Sequence, residues 1–239
     1  MKVKFTSFYI LVITFLCSFF LSENVQAQEI NKAYVDSILL IASTNNFKTK
    51  EDVIGTLCKN IRMYDSQKVS ALYSYLDSIN QDKEIKVLFY KYWGTVLSRT
   101  GEVEKSNKIR YRGLALAKEL EITYLQFDYN RSLAMINIIK VKPDSASFYI
   151  NEAEEIIKRN PKQLNHVLWD VYNIKASVQR ILGNTERQGE WLEKTWTEID
   201  KDSLHSSRGF ILTIITDYYR SKTSNYERQS FFTELLVDY

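Results

Sequence analysis

Tyr90-Lys91-Tyr92-Trp93-Gly94-Thr95-Val96-Leu97-Ser98-Arg99-Thr100-Gly101-Glu102-Val103-Glu104-Lys105-Ser106 places aromatic and large apolar residues before one glycine and a second glycine seven residues later. Apolar residues at Tyr90, Trp93 and Leu97 follow helical spacing, and Gly101 supplies the conformational freedom a helix needs where it stops. The stretch therefore reads as a helix over 84–99, a turn at Gly101 and a second helix over 103–120. Outward from it the same arrangement recurs. Small or polar residues fall mid-helix at Gly94, Ala134, Ala176 and Asp217, and turns fall at Gly101, Val141, Gly183 and Ser224, with spacings of 40, 42 and 41 in both series. Early in each second helix come Ser106, Ala146, Gln188 and Gln229, and late in it Gly113, Ala153, Thr195 and Leu236. Antiparallel helices approach closely only where side chains are small. Gly94 and Gly113 accordingly read as closest approaches within a pair, with Tyr90, Trp93, Leu97, Tyr172, Ile174 and Leu192 as surrounding packing.

Punctuation elsewhere agrees. Pro143-Asp144-Ser145 opens a helix over 144–158 and Asn160-Pro161 closes it; Thr185 with Gln188 and Ser224 with Glu227 offer capping boxes. Apolar periodicity marks earlier helices near 30–44, 50–63 and 66–79, the last with Asp65 and Ser66 as caps. About eleven helices joined by short connections result. Seven Gly and two Pro in 239 residues are too few for an architecture of tight turns, and no segment alternates with period two. The expectation is an all-α chain, an α-solenoid of antiparallel helix pairs with a period of about 41 residues. It divides into a signal peptide at 1–27, N-terminal helices with one degenerate repeat at 28–84, and four pairs at 85–239. The chain ends at Leu235-Leu236-Val237-Asp238-Tyr239 inside an apparent second helix, which reads as truncation of the last pair and predicts self-association through its uncovered apolar surface.

The first residues carry Lys2 and Lys4, a 17-residue apolar run from Phe5 to Leu21, and Val25-Gln26-Ala27. That order is a secretion signal cleaved after Ala27; the alternative is an anchor retained at 5–21. Export makes the mature chain periplasmic or envelope-associated. Cys58 is then its one cysteine, set among Leu57 and Ile61, and reads as a buried inert thiol.

A formal net charge of +3, with no basic run interleaved with aromatics, gives no reason to expect nucleic-acid binding. His166 and His205 have no partners at metal-ligand spacing. No phosphate loop or nucleophile elbow is present. Glu152, Glu154 and Glu155 read as a solvated face early in a helix, favoured by its dipole. Asn130-Arg131-Ser132 has the form of a glycosylation acceptor in a helical context that argues against use. No catalytic residue, cofactor or metal is expected.

The 90–106 stretch, with Leu182-Gly183-Asn184 and Ser224-Asn225-Tyr226-Glu227, resembles the tetratricopeptide family over roughly 85–239. The period departs from that family's usual length of about 34, the later small positions are lost in the third and fourth units, and HEAT-like pairing stays open. The resemblance implies that first helices line a concave groove that binds peptides. Lys91, Thr95, Ser98, Arg131, Asn173, Ser177 and Arg180 would face it, the cations holding an acidic group or a peptide C-terminus. It also resembles the exported repeat segment of bacterial signalling proteins. The expected function is a non-catalytic protein-interaction module, an exported sensing segment whose partner is a protein or peptide. The alternatives are a helical-toroid enzyme acting on an envelope polymer and a free-standing envelope assembly adaptor.

Overall fold

The computed structural model describes residues 32–43, 46–61, 73–78, 82–201, 206–222 and 224–238. The secretion-signal reading of 1–27, the Asp65-Ser66 cap and His205 lie outside them. Among the described residues every regular element is helical. The helices are α1 (Lys32–Ser43), α2 (Phe47–Ile61), a helical stretch at 73–78, α3 (Lys83–Arg99), α4 (Val103–Glu119), α5 (Thr123–Ile139), α6 (Pro143–Arg159), α7 (Leu168–Ile181), α8 (Thr185–Ile199), α9 (Arg208–Lys222) and α10 (Tyr226–Asp238). Pro161–Leu164 and a 3-10 turn at Asn165–Val167 lead into α7. Ile41–Tyr239 forms one compact unit; α1 begins in the segment before it.

Successive helices pair as α3/α4, α5/α6, α7/α8 and α9/α10. First helices end at Arg99, Ile139, Ile181 and Lys222, and their partners begin at Val103, Pro143, Thr185 and Tyr226, so the register expected at 40, 42 and 41 residues is the register of the fold. Three of these turns share one hydrogen-bond scheme. Glu102 N–H donates to Leu97 C=O (2.8 Å), Lys142 to Asn137 (2.8 Å) and Asn184 to Gln179 (3.0 Å). The middle residue of each takes a positive φ: Gly101 at 82°, Val141 at 52° and Gly183 at 72°. This left-handed close satisfies carbonyls that a helix end would otherwise leave bare. The turn from α4 to α5 repeats it, with Glu121 at φ 55° and Ile122 N–H donating to Ala117 C=O at 3.0 Å.

Helix starts are chemically distinct. Asp82 caps α3, its carboxylate accepting from the N–H of Glu84 (2.9 Å) and Ile85 (3.3 Å). Pro143 occupies the first position of α6, where its missing N–H costs nothing. The other two caps shift by one residue from expectation. Asn184 accepts from Arg187 N–H (3.2 Å) and Asn225 from Arg228 N–H (3.0 Å), placing Thr185 inside its helix and Ser224 one residue before the cap. Glu152, Glu154 and Glu155 lie in the third and fourth turns of α6, far from its N-terminus. Glu154 and Glu155 are held instead by ion pairs, Glu154 to Lys158 (3.2 Å) and Lys175 (3.0 Å), and Glu155 to Lys158 (2.9 Å).

The core is a chain of shared clusters. Phe127 and Ala134 of α5, Ile150, Ala153 and Ile157 of α6, and Val171 and Ile174 of α7 pack together with Leu164. Ala176 of α7, Leu192, Trp196 and Ile199 of α8, Ile211, Leu212 and Ile215 of α9, and Phe232 of α10 form the next. Each cluster joins one pair to the first helix of the following pair, which is what makes the array an α-solenoid. Fully burying each such side chain contributes about 1.5–3 kcal/mol.

Small residues mark the approaches, with two corrections. Gly94 meets its own partner helix: a Cβ there would lie 2.6 Å from Nη1 and 3.0 Å from Cγ of Arg110, and Ser106 Oγ donates to Gly94 C=O at 2.6 Å. Gly113 instead meets the next unit. A Cβ on it would stand 2.2 Å from Cζ of Tyr129, whose hydroxyl passes on to donate to Val87 C=O in α3. The same glycine–tyrosine contact recurs at Gly55 with Tyr92 (2.7 Å) and at Gly189 with Tyr218 (2.3 Å). Asp217, expected as the fourth small position, points to solvent, while its neighbours Thr216 and Tyr218 are buried.

Candidate functional site

First helices follow one another along one side of the array, and the residues expected there fall on three of them. Lys91, Thr95 and Ser98 lie on one stripe of α3, Arg131 on α5, and Asn173, Ser177 and Arg180 on one stripe of α7. Three contacts, made by two cations, carry the stripe from helix to helix. Lys91 Nζ pairs with Glu51 of α2 at 3.5 Å and sits 5.4 Å from the ring centre of Tyr124 in α5. Arg131 donates from Nη2 to Asp128 (2.9 Å) and from Nη1 to Asp170 of α7 (3.1 Å). The face thus runs Glu51, Lys91, Tyr124, Asp128, Arg131, Asp170 across α2, α3, α5 and α7.

These contacts change what the cations can do. Both Lys91 and Arg131 are engaged by carboxylates of the protein itself, and Arg131 is held by two. Burial alone would lower the Arg131 pKa, but Asp128 and Asp170 more than offset it. Burial pushes Asp170 above the usual carboxylate range in spite of Arg131. Burial, together with Glu51, also keeps the Tyr124 hydroxyl protonated far above its ordinary range. The hydroxyls of Thr95 and Ser177 donate to carbonyls of their own helices, Lys91 (3.0 Å) and Asn173 (3.1 Å). Ser98 and Asn173 are half-buried and Arg180 is exposed. Of the expected cations, Arg180 alone forms no ion pair among the described residues.

The counter-ions Glu51, Asp128 and Asp170 were not anticipated. Their signal lies in the period: Glu51 precedes Lys91 by 40 residues and Asp170 follows Arg131 by 39, one repeat in each case. Arg110 was missed as well. It is 6% exposed, its side chain passes beside Gly94, and its Nε has no acceptor among the described residues. Burial lowers its pKa, and Asp128 is the nearest opposing charge. Buried Arg110 and the face residues Arg131, Asp128 and Asp170 together form a charge-balanced cluster.

The described residues hold no group of three acidic, histidine or cysteine side chains able to grip a metal ion. Cys58 is buried as expected, and burial pushes its thiol up to about 12. Asn130 is 2% exposed and its amide donates to Gln126 C=O at 2.9 Å, so the folded chain does not present it as a glycan acceptor. No helix among the described residues is long and apolar enough to cross a membrane.

No protein-family model matches the chain, and no curated protein matches it. A solved structure does. The crystal structure of BtubC (BKLC) from P. vanneervenii superposes with a TM-score of 0.70, covering 85% of this chain and 85% of that one at 15% sequence identity. The chain shares a fold with that protein. At this identity the likeness concerns the path of the helices and not what they bind.

Proposed function

We propose that the chain is a non-catalytic protein-interaction module, exported after cleavage near Ala27, and that it receives a segment of a partner protein along the first-helix face. The observation that supports this reading is the strip from Glu51 to Asp170. Charged side chains on four successive first-position helices are held in place by pairs one repeat apart, over a continuous apolar core. Ordered polar groups on rigid helices lose little conformational freedom when a partner docks, so they favour recognition. The resemblance of 85–239 to tetratricopeptide repeats supports the same face.

Lys91 and Arg131 are already neutralised, so the partner's polar groups would join existing pairs and complete the unused donors of Arg131 and Arg180. A combined Lys91→Ala, Arg131→Ala, Arg180→Ala variant tests this. Capture from envelope extract, followed by titration of the captured partner, should show weakening of about 2 kcal/mol or more. Unchanged affinity in a variant with wild-type circular dichroism would remove the first-helix face from the reading.

A further inference from the structure

A second surface lies away from the first-helix strip. A cleft of about 370 Å³ opens over α3 and the outer side of α4. Its floor is apolar, made by Trp93, Leu97 and Ile109, and its rim carries Lys105, Lys108 and Arg112. Among the described residues no acidic side chain lines it. Lys105 pairs with Glu102, whereas Lys108 and Arg112 are exposed and form no ion pair among the described residues. Trp93 stacks on Tyr73, with ring centres 5.7 Å apart and planes within 6°. That contact fixes the indole, and its N–H is shielded from water without an acceptor among the described residues.

Each feature selects for a ligand property. A volume of this size holds one large side chain with its flanking backbone. An apolar floor rewards an aromatic or branched aliphatic group. Uncompensated cations at the rim attract carboxylates and repel basic segments. We infer that this cleft docks an acidic peptide segment of a partner protein, one large apolar residue seated on Trp93, Leu97 and Ile109 and a neighbouring Asp or Glu held by Lys108 and Arg112.

The test is an unbiased selection. A random twelve-residue peptide display library is panned against the whole chain, and each enriched peptide is titrated against wild type, against Lys108→Glu/Arg112→Glu, and against Lys91→Ala/Arg131→Ala/Arg180→Ala. Both cleft positions are exposed, so the first variant retains the fold, which circular dichroism verifies. The expected result is a peptide class pairing an acidic residue with a large apolar one. Its affinity should fall at least about tenfold in the cleft variant and hold in the first-helix variant. In the same titration the indole N–H resonance of Trp93, assigned through Trp93→Phe, should shift on binding. The proposal is overturned if no acidic-apolar class is enriched, if such peptides bind the cleft variant as well as wild type, or if the Trp93 resonance stays in place. Loss of binding only in the first-helix variant would assign the peptides to the other face and leave the cleft without a ligand.

Discussion

Val141 is a β-branched residue held at φ 52° and 68% exposed. Its side chain gains little from packing there, and the left-handed backbone costs roughly 1–2 kcal/mol for any residue with a Cβ. Gly101 and Gly183 stand at the equivalent places with open space around them, so their requirement is conformational. Val141→Gly should therefore stabilise the fold by about 1 kcal/mol, after the greater freedom of glycine in the unfolded chain is subtracted. Gly101→Ala should destabilise it by a similar amount. Urea melts of both decide the matter, and a lower midpoint for Val141→Gly would show that the turn is not under strain. Other glycines are steric. Gly113→Ala drives a methyl into the ring of Tyr129, itself 1% exposed, and should cost about 3 kcal/mol. Tyr129→Leu in the same chain should recover at least about 1 kcal/mol of that loss in a double-mutant cycle. Gly94→Ala meets the mobile end of Arg110 and is milder, whereas Gly94→Leu should cost roughly 2 kcal/mol or more.

At the scale of the element, Asp82 does two tasks. It caps α3, and with Glu84 it takes the buried Lys50 ammonium of α2, at 2.8 and 2.7 Å. Burial would raise its carboxyl, but the hydrogen bond from Lys50 and those from the N–H of Ile85 and Glu84 hold it below the usual range. A carboxyl with a lowered folded value contributes stability that is complete above its unfolded value, about 3.9, and is lost as pH falls through the folded value. Asp82→Ala should cost about 1–2 kcal/mol at pH 7, and the difference from wild type should shrink in melts below pH 4. Asp82→Asn retains the cap oxygen and should fall between them. A pH-independent difference would mean that the cap alone matters.

Elements were largely legible in the sequence because their signals are local. Helix ends followed Gly101, Gly183 and Pro143, whose backbone chemistry acts within one turn. The caps at Asn184 and Asn225 slipped by one because each asparagine adjoins a hydroxyl residue that itself fits a capping pattern, Thr185 after the first and Ser224 before the second, and only geometry chooses between neighbouring oxygens. The site was half legible. Lys91 and Arg131 were found from the stripe they share, but their carboxylates sit on neighbouring units, and which of many acids lies opposite depends on how helices stack. Gly113 was assigned to the wrong neighbour for the same reason: a small residue announces a close approach without saying what approaches.

At the scale of the whole molecule, exposed apolar groups fall mainly on two pairs: Met135, Ile139, Val141 and Phe148 on α5, α6 and their turn, and a second set on the last described pair. Phe232 is fully enclosed between Trp196 and Tyr219, while Phe210, Phe231 and Val237 are 61%, 43% and 80% exposed on α9 and α10. The exposed apolar groups of the last described pair favour association. Residues 28–239 should self-associate in light scattering at micromolar concentration, and Phe210→Ser with Phe231→Ser should shift the population toward monomer. A stable wild-type monomer, with amides in α10 exchanging as slowly as those in α4, would show that these groups make no contact of consequence.

The tyrosines that cross between units also decide where the array yields under load. Tyr92, Tyr129 and Tyr218 each fill a notch left by a glycine on an earlier helix, and Tyr129 reaches a carbonyl beyond it. Pulling α2 from α3, α4 from α5, or α8 from α9 therefore means drawing a phenol out of a fitted slot, a short-range resistance that must fail all at once. Between α6 and α7 no glycine–tyrosine lock exists among the described residues. The second and third pairs are joined there by the ion pairs of Glu154 with Lys175 and of Arg131 with Asp170 and by apolar side chains, which slide before they release. Stretched from its ends, the solenoid should part first between its second and third pairs and give up each half as a block.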